Sequence, residues 1–250
     1  GWYPQLSPMV RDTLSQNGAL MAVPTGIHRV NWLWLNRKAF ERLGLRPPTD
    51  WAQFVAVAEQ FKEKGITPLA IGNEPWQLAV LFETVALGEG GKTFYRKAFL
   101  EQDSATLTGP DMVRVLTRFQ QLRAYVPEKY AGLKWHQATN LLESGGAAMQ
   151  VMGDWVKGEL SAGNYRPGED IACLPSPGSA GLFSYNLDSI AMFKQRDPAQ
   201  LQAQGDLAQL LMTPQFQEEF NRVKGSIPAL TNPDMSKFDR CAVRSYQDFL

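Results

Sequence analysis

Four carboxylates stand beside aromatic or polar neighbours and are the residues of this 250-residue chain best placed to do chemistry. They are Glu74, Asp154, Glu159 and Asp188. A glycosidase needs only two such groups, one to protonate the leaving oxygen and one to act as nucleophile or base. A glycoside-processing enzyme that uses two of them is therefore one hypothesis, although solvated surface acids are far commoner than catalytic ones.

Other common catalytic and metal-binding motifs are missing from the sequence. Its only histidines are His28 and His136, it has no Gly-x-Ser-x-Gly elbow, and no residues have the spacing of zinc ligands. The glycine-rich run from Gly88 to Lys92 lacks the Walker spacing and the Ser or Thr that should follow the lysine. We therefore expect no metal site and no cofactor.

Aromatic residues stand next to lone polar residues in three turn-like segments. The segments are Glu74-Pro75-Trp76, Gly153-Asp154-Trp155 and Tyr185-Asn186-Leu187-Asp188-Ser189. A sugar has an apolar C–H face, which an aromatic ring covers, and a rim of hydroxyls, which carboxylates and amides bind. The segments thus favour a sugar-binding protein. The alternative for any single tryptophan is that it fills the core, which the strand and helix registers predict for Trp32, Trp34 and Trp51.

Composition excludes several classes of protein. Lys and Arg number 25 and Asp and Glu number 25, so the net charge is zero and offers no handle for a phosphate backbone. Nucleic acid is therefore not an expected partner. Hydrophobic residues make up 44% and charged residues 20%, as in ordinary globular proteins. No apolar run approaches the roughly 18 residues that span a bilayer.

The two cysteines, Cys173 and Cys241, are too far apart for a CxxC metal or redox motif. Their spacing alone leaves two interpretations open. They are either two buried thiols or the ends of one long-range disulfide, which would stabilise the fold by roughly 2–4 kcal/mol and indicate a location outside the cytoplasm.

Strand-like and helix-like segments alternate throughout, which predicts an α/β fold. Asn36 is predicted to be the N-cap of a helix that ends at Gly44, and residues 108–111 resemble a capping box. A later helix is predicted to carry Phe216, Phe220 and Val223. Short apolar strands are predicted at residues 20–23, 30–35, 69–71, 147–152, 171–174, 182–185 and 190–193.

Several motifs follow one another in order along the chain. They are Leu20-Met21-Ala22-Val23-Pro24, Ile27-His28-Arg29-Val30-Asn31-Trp32-Leu33-Trp34-Leu35-Asn36, Pro48-Thr49-Asp50-Trp51-Ala52-Gln53-Phe54, Gly146-Ala147-Ala148-Met149-Gln150-Val151-Met152-Gly153-Asp154-Trp155, and Lys224-Gly225-Ser226-Ile227-Pro228-Ala229. Together they resemble the extracellular solute-binding proteins of ABC sugar importers. Within that family the chain is most similar to periplasmic glucose-binding proteins of pseudomonad type.

The resemblance implies an α/β fold of two lobes, joined by hinge strands, with a sugar cleft between the lobes; hinge closure is itself a family property. We expect residues 1–29 and 182–228 to form the N-terminal lobe, and residues 30–181 and 229–250 the C-terminal lobe. The implied protein is not an enzyme. It binds a monosaccharide, with glucose favoured, in the periplasm and delivers it to the membrane permease of an ABC transporter.

The resemblance also implies which residues contact the sugar. They are Trp155, Asp188, Lys224, His28, Trp76, Glu74 and, beside Trp155, Asp154. Trp155 would stack on the sugar ring, while Asp188 and Lys224 would hydrogen-bond its hydroxyls. Cys173 and Cys241 fit the same subgroup, which favours the disulfide.

Family members extend well beyond both ends of this sequence, so the chain resembles a member truncated at both ends. Its N-terminal lobe is then expected to be incomplete, and sugar binding to be weakened or abolished. Exposed strand edges and apolar surface would favour a homodimer through that lobe. A ligand-free truncated or oligomeric family member is thus a second alternative, beside the glycoside-processing enzyme.

Overall fold

The computed structural model describes residues 2–127, 129 and 132–250, and its helices and strands alternate along the chain. The helices are α1 Pro8–Leu14, α2 Arg37–Leu43, α3 Trp51–Glu63, α4 Pro75–Tyr95, α5 Ser104–Thr108, α6 Pro110–Leu122, α7 Trp135–Glu143, α8 Val156–Ala162, α9 Pro198–Leu211, α10 Pro214–Lys224 and α11 Arg240–Phe249. The strands are β1 Ser15–Gln16, β2 Ala19–Leu20, β3 Ala22–Arg29, β4 Trp32–Asn36, β5 Thr67–Leu69, β6 Ala147–Val151, β7 Ile171–Pro175 and β8 Tyr185–Ala191.

The chain divides into two compact units. We call Val30–Ser184 the central unit, and Gly1–Arg29 together with Tyr185–Leu250 the split unit. Within the described part of the chain, no helix has the length and apolar character needed to cross a membrane.

A four-stranded sheet in the order β5-β6-β4-β7 organises the central unit. Strand β4 pairs in the antiparallel direction with β6 on one side and β7 on the other, so that Leu33 is opposite both Val151 and Leu174. All five residues of β4 are buried. Helix α3 packs its Phe54 and Phe61 into the same core. Trp32, Trp34 and Trp51 are at most 2% exposed, so the prediction that they fill the core is confirmed.

Local chemistry fixes helix α2 at both ends. The Asn36 side chain accepts from the Ala39 N–H at 3.0 Å, and Gly44 ends α2 with φ of 63°, which confirms both predicted caps. The glycine-rich run lies inside α4. There a Cβ on Gly88 would meet the Pro177 carbonyl at 2.1 Å, so that glycine permits close packing.

The split unit is built on the antiparallel pair of β3 and β8. Pro24 is opposite Ser189 and Gly26 is opposite Asp188, so Thr25 is the extra residue of a β-bulge. Helices α9 and α10 pack against β3. After α10 the chain returns to the same strand, because Ile27 and Ile227 exchange both backbone hydrogen bonds at 2.9 Å.

Residues 229–250 belong to the split unit, contrary to the prediction that groups them with residues 30–181. The Thr231 N–H donates to the Gln5 carbonyl at 2.8 Å, and the Arg29 guanidinium is 2.5 Å from the Asp248 carboxylate. Residues 182–184 in turn lie in the central unit, since the Val30 N–H donates to the Ser184 carbonyl at 2.8 Å.

Two predictions of local structure are also wrong. The strands predicted at 182–185 and 190–193 are replaced by the single strand β8, because pairing with β3 keeps the polar residues of its middle extended. The capping box at 108–111 does not form. Thr108 belongs to α5, and Gly109 caps α6 without a side-chain hydrogen bond.

Candidate functional site

A charged cluster lies in the split unit and consists of His28, Asp188 and Lys224, all predicted site residues. His28 Nε2 is 3.3 Å and Lys224 Nζ is 3.7 Å from the same Asp188 oxygen, Oδ2. Asp188 Oδ1 accepts from the Asn186 amide at 2.8 Å. Asp188 is about one-third exposed and Lys224 44% exposed, so both retain surface for a ligand, whereas His28 is buried.

The hydrogen bond from His28 lowers the pKa of Asp188, and the positive charge of Lys224 lowers it further. The carboxyl therefore stays ionised through the neutral range. A fixed carboxylate can accept a hydrogen bond from one hydroxyl while the ammonium group beside it donates to another, which suits a pair of neighbouring hydroxyls on a ring.

Secondary structure fixes each member of this cluster. His28 is near the end of β3, and Asp188 is on β8 opposite Gly26. Lys224 is the last residue of α10, which Gly225 ends in the left-handed conformation with φ of 95°. The sequence separates these residues widely, and the pairing of β3 with β8 brings them together.

An aromatic pair lies in the central unit and consists of Trp76 and Trp155. Their ring centroids are 6.2 Å apart with an interplanar angle of 58°. Trp76 is in the first turn of α4, directly after Pro75, and is 40% exposed. The ring of Trp155 folds back over Gly153, where a Cβ would lie 2.3 Å from the indole. Glycine is thus required for this ring orientation.

Polar groups flank the aromatic pair in sequence. The Glu74 carboxylate contacts Lys134 Nζ at 2.5 Å and accepts from the Gln77 amide at 2.8 Å. The hydrogen bond from Lys134 lowers the pKa of Glu74. Asp154, beside Trp155, is fully buried. Glu74 is therefore the more open of the two carboxylates predicted to bind sugar here.

The pKa shifts do not favour the glycosidase hypothesis. That mechanism needs a carboxyl with a raised pKa as general acid, whereas the pKa values of Glu74 and Asp188 are lowered. Burial, and then the charge of Glu159, raises the pKa of Glu143. Its Oε1 atom is buried and faces Gly163, however, so this acid is not open to a substrate.

Several contributors to these sites were not predicted from the sequence. Lys134 and Gln77 hold Glu74, and Gln217 and Asn221 are fully buried in α10. The only sequence signal for the last two is their spacing of four residues, which places them on one helix face. Among residues 2–127, 129 and 132–250, no group of three or more potential ligands is arranged to hold a metal ion.

Both cysteines are in the disulfide-bonded state, and the described residues include no free thiol. Cys241 is fully buried in α11, and Cys173 is 9% exposed in β7. Their oxidised state agrees with the disulfide that the family resemblance favours.

Comparison with known proteins identifies relatives along most of the chain. Residues 2–216 match a family model described as bacterial extracellular solute-binding protein. A probable sugar-binding periplasmic protein of Rhizobium meliloti (strain 1021) is 38% identical over 251 residues, which cover 99% of this chain. The chain spans 59% of that relative's length. The name of this relative agrees with the predicted periplasmic location, which is thereby confirmed.

Solved structures show the same fold at low sequence identity. The solute receptor AcbH, described as exclusively preferring β-D-galactopyranose, superposes with a TM-score of 0.84 at 19% identity over 99% of this chain and 65% of its own. A chitin oligosaccharide binding protein gives a TM-score of 0.85 at 18% identity over 98% of this chain and 63% of its own. The predicted α/β solute-binding fold is confirmed. The comparisons give no support to the predicted homodimer.

Proposed function

This chain belongs to the bacterial extracellular solute-binding protein family, and from that premise we propose that it binds a monosaccharide, with glucose as the first candidate. Because the chain spans 59% of the R. meliloti relative, delivery of the sugar to the permease of an ABC transporter is proposed for the whole protein. The chain itself is proposed to supply sugar-binding groups.

The observation that carries this proposal is the aromatic pair of Trp76 and Trp155. A partly exposed indole, held against a second ring at 6.2 Å, offers an apolar face of the kind that covers the C–H side of a pyranose. Glu74 lies two residues before Trp76, and its carboxylate is ionised and held by Lys134. The central unit therefore combines a stacking surface with a hydrogen-bond acceptor.

The charged cluster of the split unit supports the same function by a different kind of contact. Asp188 and Lys224 present an acceptor and a donor of fixed identity, and charged groups form the stronger hydrogen bonds to hydroxyls. Groups fixed in this way distinguish sugars that differ in the orientation of one hydroxyl. Glucose and galactose are such a pair, which makes galactose the informative comparison.

Titration calorimetry with glucose and galactose tests the proposal. We expect saturable heat for glucose, loss of that heat in Trp155→Ala, and unchanged binding in the control Phe193→Ala. The control removes a ring that is 75% exposed and belongs to neither the aromatic pair nor the charged cluster.

The same titration separates sugar binding from its alternatives. A folded chain that gives no heat with either sugar would refute sugar binding by these residues and favour the ligand-free family member. Hydrolysis of an aryl glycoside would instead favour the glycoside-processing enzyme.

A further inference from the structure

Lys224 has the longest side chain of the charged cluster, and such a side chain loses much rotamer freedom when it is held in one place. Its backbone, in contrast, is anchored to β3 on both sides. Three residues before it, the Asn221 side chain donates to the Thr25 carbonyl at 2.9 Å. Three residues after it, Ile227 exchanges backbone hydrogen bonds with Ile27. The backbone at Lys224 is thus held to β3 by hydrogen bonds on both sides, at Thr25 and at Ile27.

Asn221 uses its amide fully in this arrangement. Its Nδ2 donates to the Thr25 carbonyl and to the Gln217 carbonyl, at 2.9 and 2.7 Å. Its Oδ1 accepts from the Ser226 hydroxyl at 2.5 Å. The residue has no exposed surface, so the Thr25 carbonyl and the Ser226 hydroxyl would lose this hydrogen-bond partner, with no water to replace it, if the amide were removed.

The strand is shaped to receive Asn221. The β-bulge at Thr25 removes that residue from the regular pairing of β3 with β8, and its carbonyl accepts from Asn221. At the next residue, a Cβ on Gly26 would lie 2.0 Å from Asn221 Oδ1. Bulge and glycine together let the amide approach the backbone. Gly26 is also the residue opposite Asp188.

We propose that Asn221 is a positioning residue for the sugar site: it fixes the end of α10 on the β3 bulge and thereby sets Lys224 against Asp188. This inference rests on the proposed function, because the role of Lys224 in binding does. The amide of Asn221 is engaged by Thr25, Gln217 and Ser226, all outside the charged cluster. Its effect on binding is therefore expected to pass through Lys224.

Gln217 makes a second attachment one turn earlier. Its Nε2 donates to the carbonyls of Pro24 and Leu211, at 3.1 and 2.9 Å, and its Oε1 accepts from the Ala229 N–H at 2.9 Å. Gln217 holds the body of α10 on the strand, whereas Asn221 acts three residues before Lys224, the residue proposed to bind the sugar. The two side chains therefore separate general docking of the helix from placement of Lys224.

A double-mutant cycle tests the proposal, with Asn221→Ser and Lys224→Met studied singly and together by glucose calorimetry. Each single substitution is expected to weaken glucose binding about tenfold, the typical value of one hydrogen bond to a charged group. In the Lys224→Met background, Asn221→Ser should have no further effect. Independent, multiplying losses would overturn the proposal, because they would show that Asn221 acts on binding without Lys224.

A measurement without ligand keeps this test separate from the proposed function. The Asp188 carboxyl is titrated by NMR in the same four proteins, and its pKa is expected to rise in Lys224→Met, since one neighbouring positive charge is lost. Asn221→Ser should raise this pKa as well, and the double variant should raise it no further. An unchanged pKa in Asn221→Ser would overturn the positioning role, even if the chain binds no sugar.

Two further variants protect the experiment against misfolding. Ser226→Ala removes only the bond that Asn221 accepts and should weaken glucose binding in the same direction, again without effect in the Lys224→Met background. Tyr246→Phe is the matched control. It removes a 2.7 Å side-chain hydrogen bond to the Thr231 carbonyl in the same unit and should leave both glucose binding and the Asp188 pKa unchanged.

Discussion

Asn31 is the residue whose replacement should most directly loosen the two chain segments that enter and leave the central unit. It comes directly after Val30, at the start of that unit, and is fully buried. Its Nδ2 donates to the Ser179 hydroxyl and to the Leu182 carbonyl, both at 2.9 Å. Its Oδ1 accepts from the Ser184 N–H at 3.0 Å.

The expected cost of Asn31→Ala follows from these bonds. Each buried hydrogen bond contributes about 1 kcal/mol net, so the loss of all of them should lower the free energy of unfolding by about 3 kcal/mol. With a urea m-value of about 2 kcal/mol/M, the unfolding midpoint should fall by about 1.5 M. A loss of about 3 kcal/mol is a large part of the roughly 5–15 kcal/mol that stabilises a typical domain.

Urea unfolding followed by tryptophan fluorescence measures this change in the relevant unit, because every tryptophan except Trp2 belongs to the central unit. The control is Asn140→Ala, at an exposed position of α7, which should change the free energy of unfolding by less than about 0.5 kcal/mol. A loss below about 1 kcal/mol for Asn31→Ala would refute the reasoning, since it would mean that these bonds contribute no more than water does.

Three other changes have definite expected outcomes. Gly153→Ala should push the Trp155 ring from its position and weaken glucose binding about tenfold, as calorimetry would measure; equal affinity would contradict the proposed stacking role. Asp188 has a lowered pKa, so its interactions stabilise the fold above the ordinary carboxyl pKa of about 3.9 and are lost as the pH falls below it. Asp188→Asn should therefore flatten the acid side of a stability–pH profile measured with urea, and an unaltered profile would count against the cluster. Peptide mapping of unreduced protein should find Cys173 linked to Cys241, and reduction should cost roughly 2–4 kcal/mol in urea unfolding; two free thiols in denaturant would exclude the bond.

The sequence predicts most of the central unit because its elements follow local rules. Strand β4 buries its whole apolar run and helix α3 buries Trp51, as predicted, and Asn36 and Gly44 bound α2 through local hydrogen bonds and backbone conformation. The start of α6 was less predictable, because its N-cap, Gly109, has no side chain that could form a capping hydrogen bond.

The split unit was harder to predict because its polar residues are inside. Helix α10 buries Gln217 and Asn221, whereas Val223 is 77% exposed, which is the reverse of an ordinary amphipathic pattern. A buried amide has a definite partner only in the folded chain, here the carbonyls of β3, and no periodicity reveals that partner. The place of residues 229–250 depended on equally distant contacts.

The predicted site residues divide in the same way. Resemblance to the family implies that His28, Asp188 and Lys224 belong to one site, and the pairing of β3 with β8 explains why they meet. The resemblance does not indicate that Lys134 and Gln77 hold Glu74. No sequence motif marks these hydrogen bonds, which are seen only in the folded structure.

The division of the chain into a continuous and a split unit has a consequence for the order of folding. The central unit is continuous in sequence, from residue 30 to residue 184, whereas the pairing of β3 with β8 joins Thr25 to Asp188, which are 163 residues apart. Closing so long a loop in an unfolded chain is slow and entropically costly. Once the central unit has folded, the hydrogen bond between Val30 and Ser184 holds the ends of both strands together, and the remaining loop is only a few residues long. The charged cluster is therefore expected to form after the central unit, once α10 with Lys224 at its end has packed against β3.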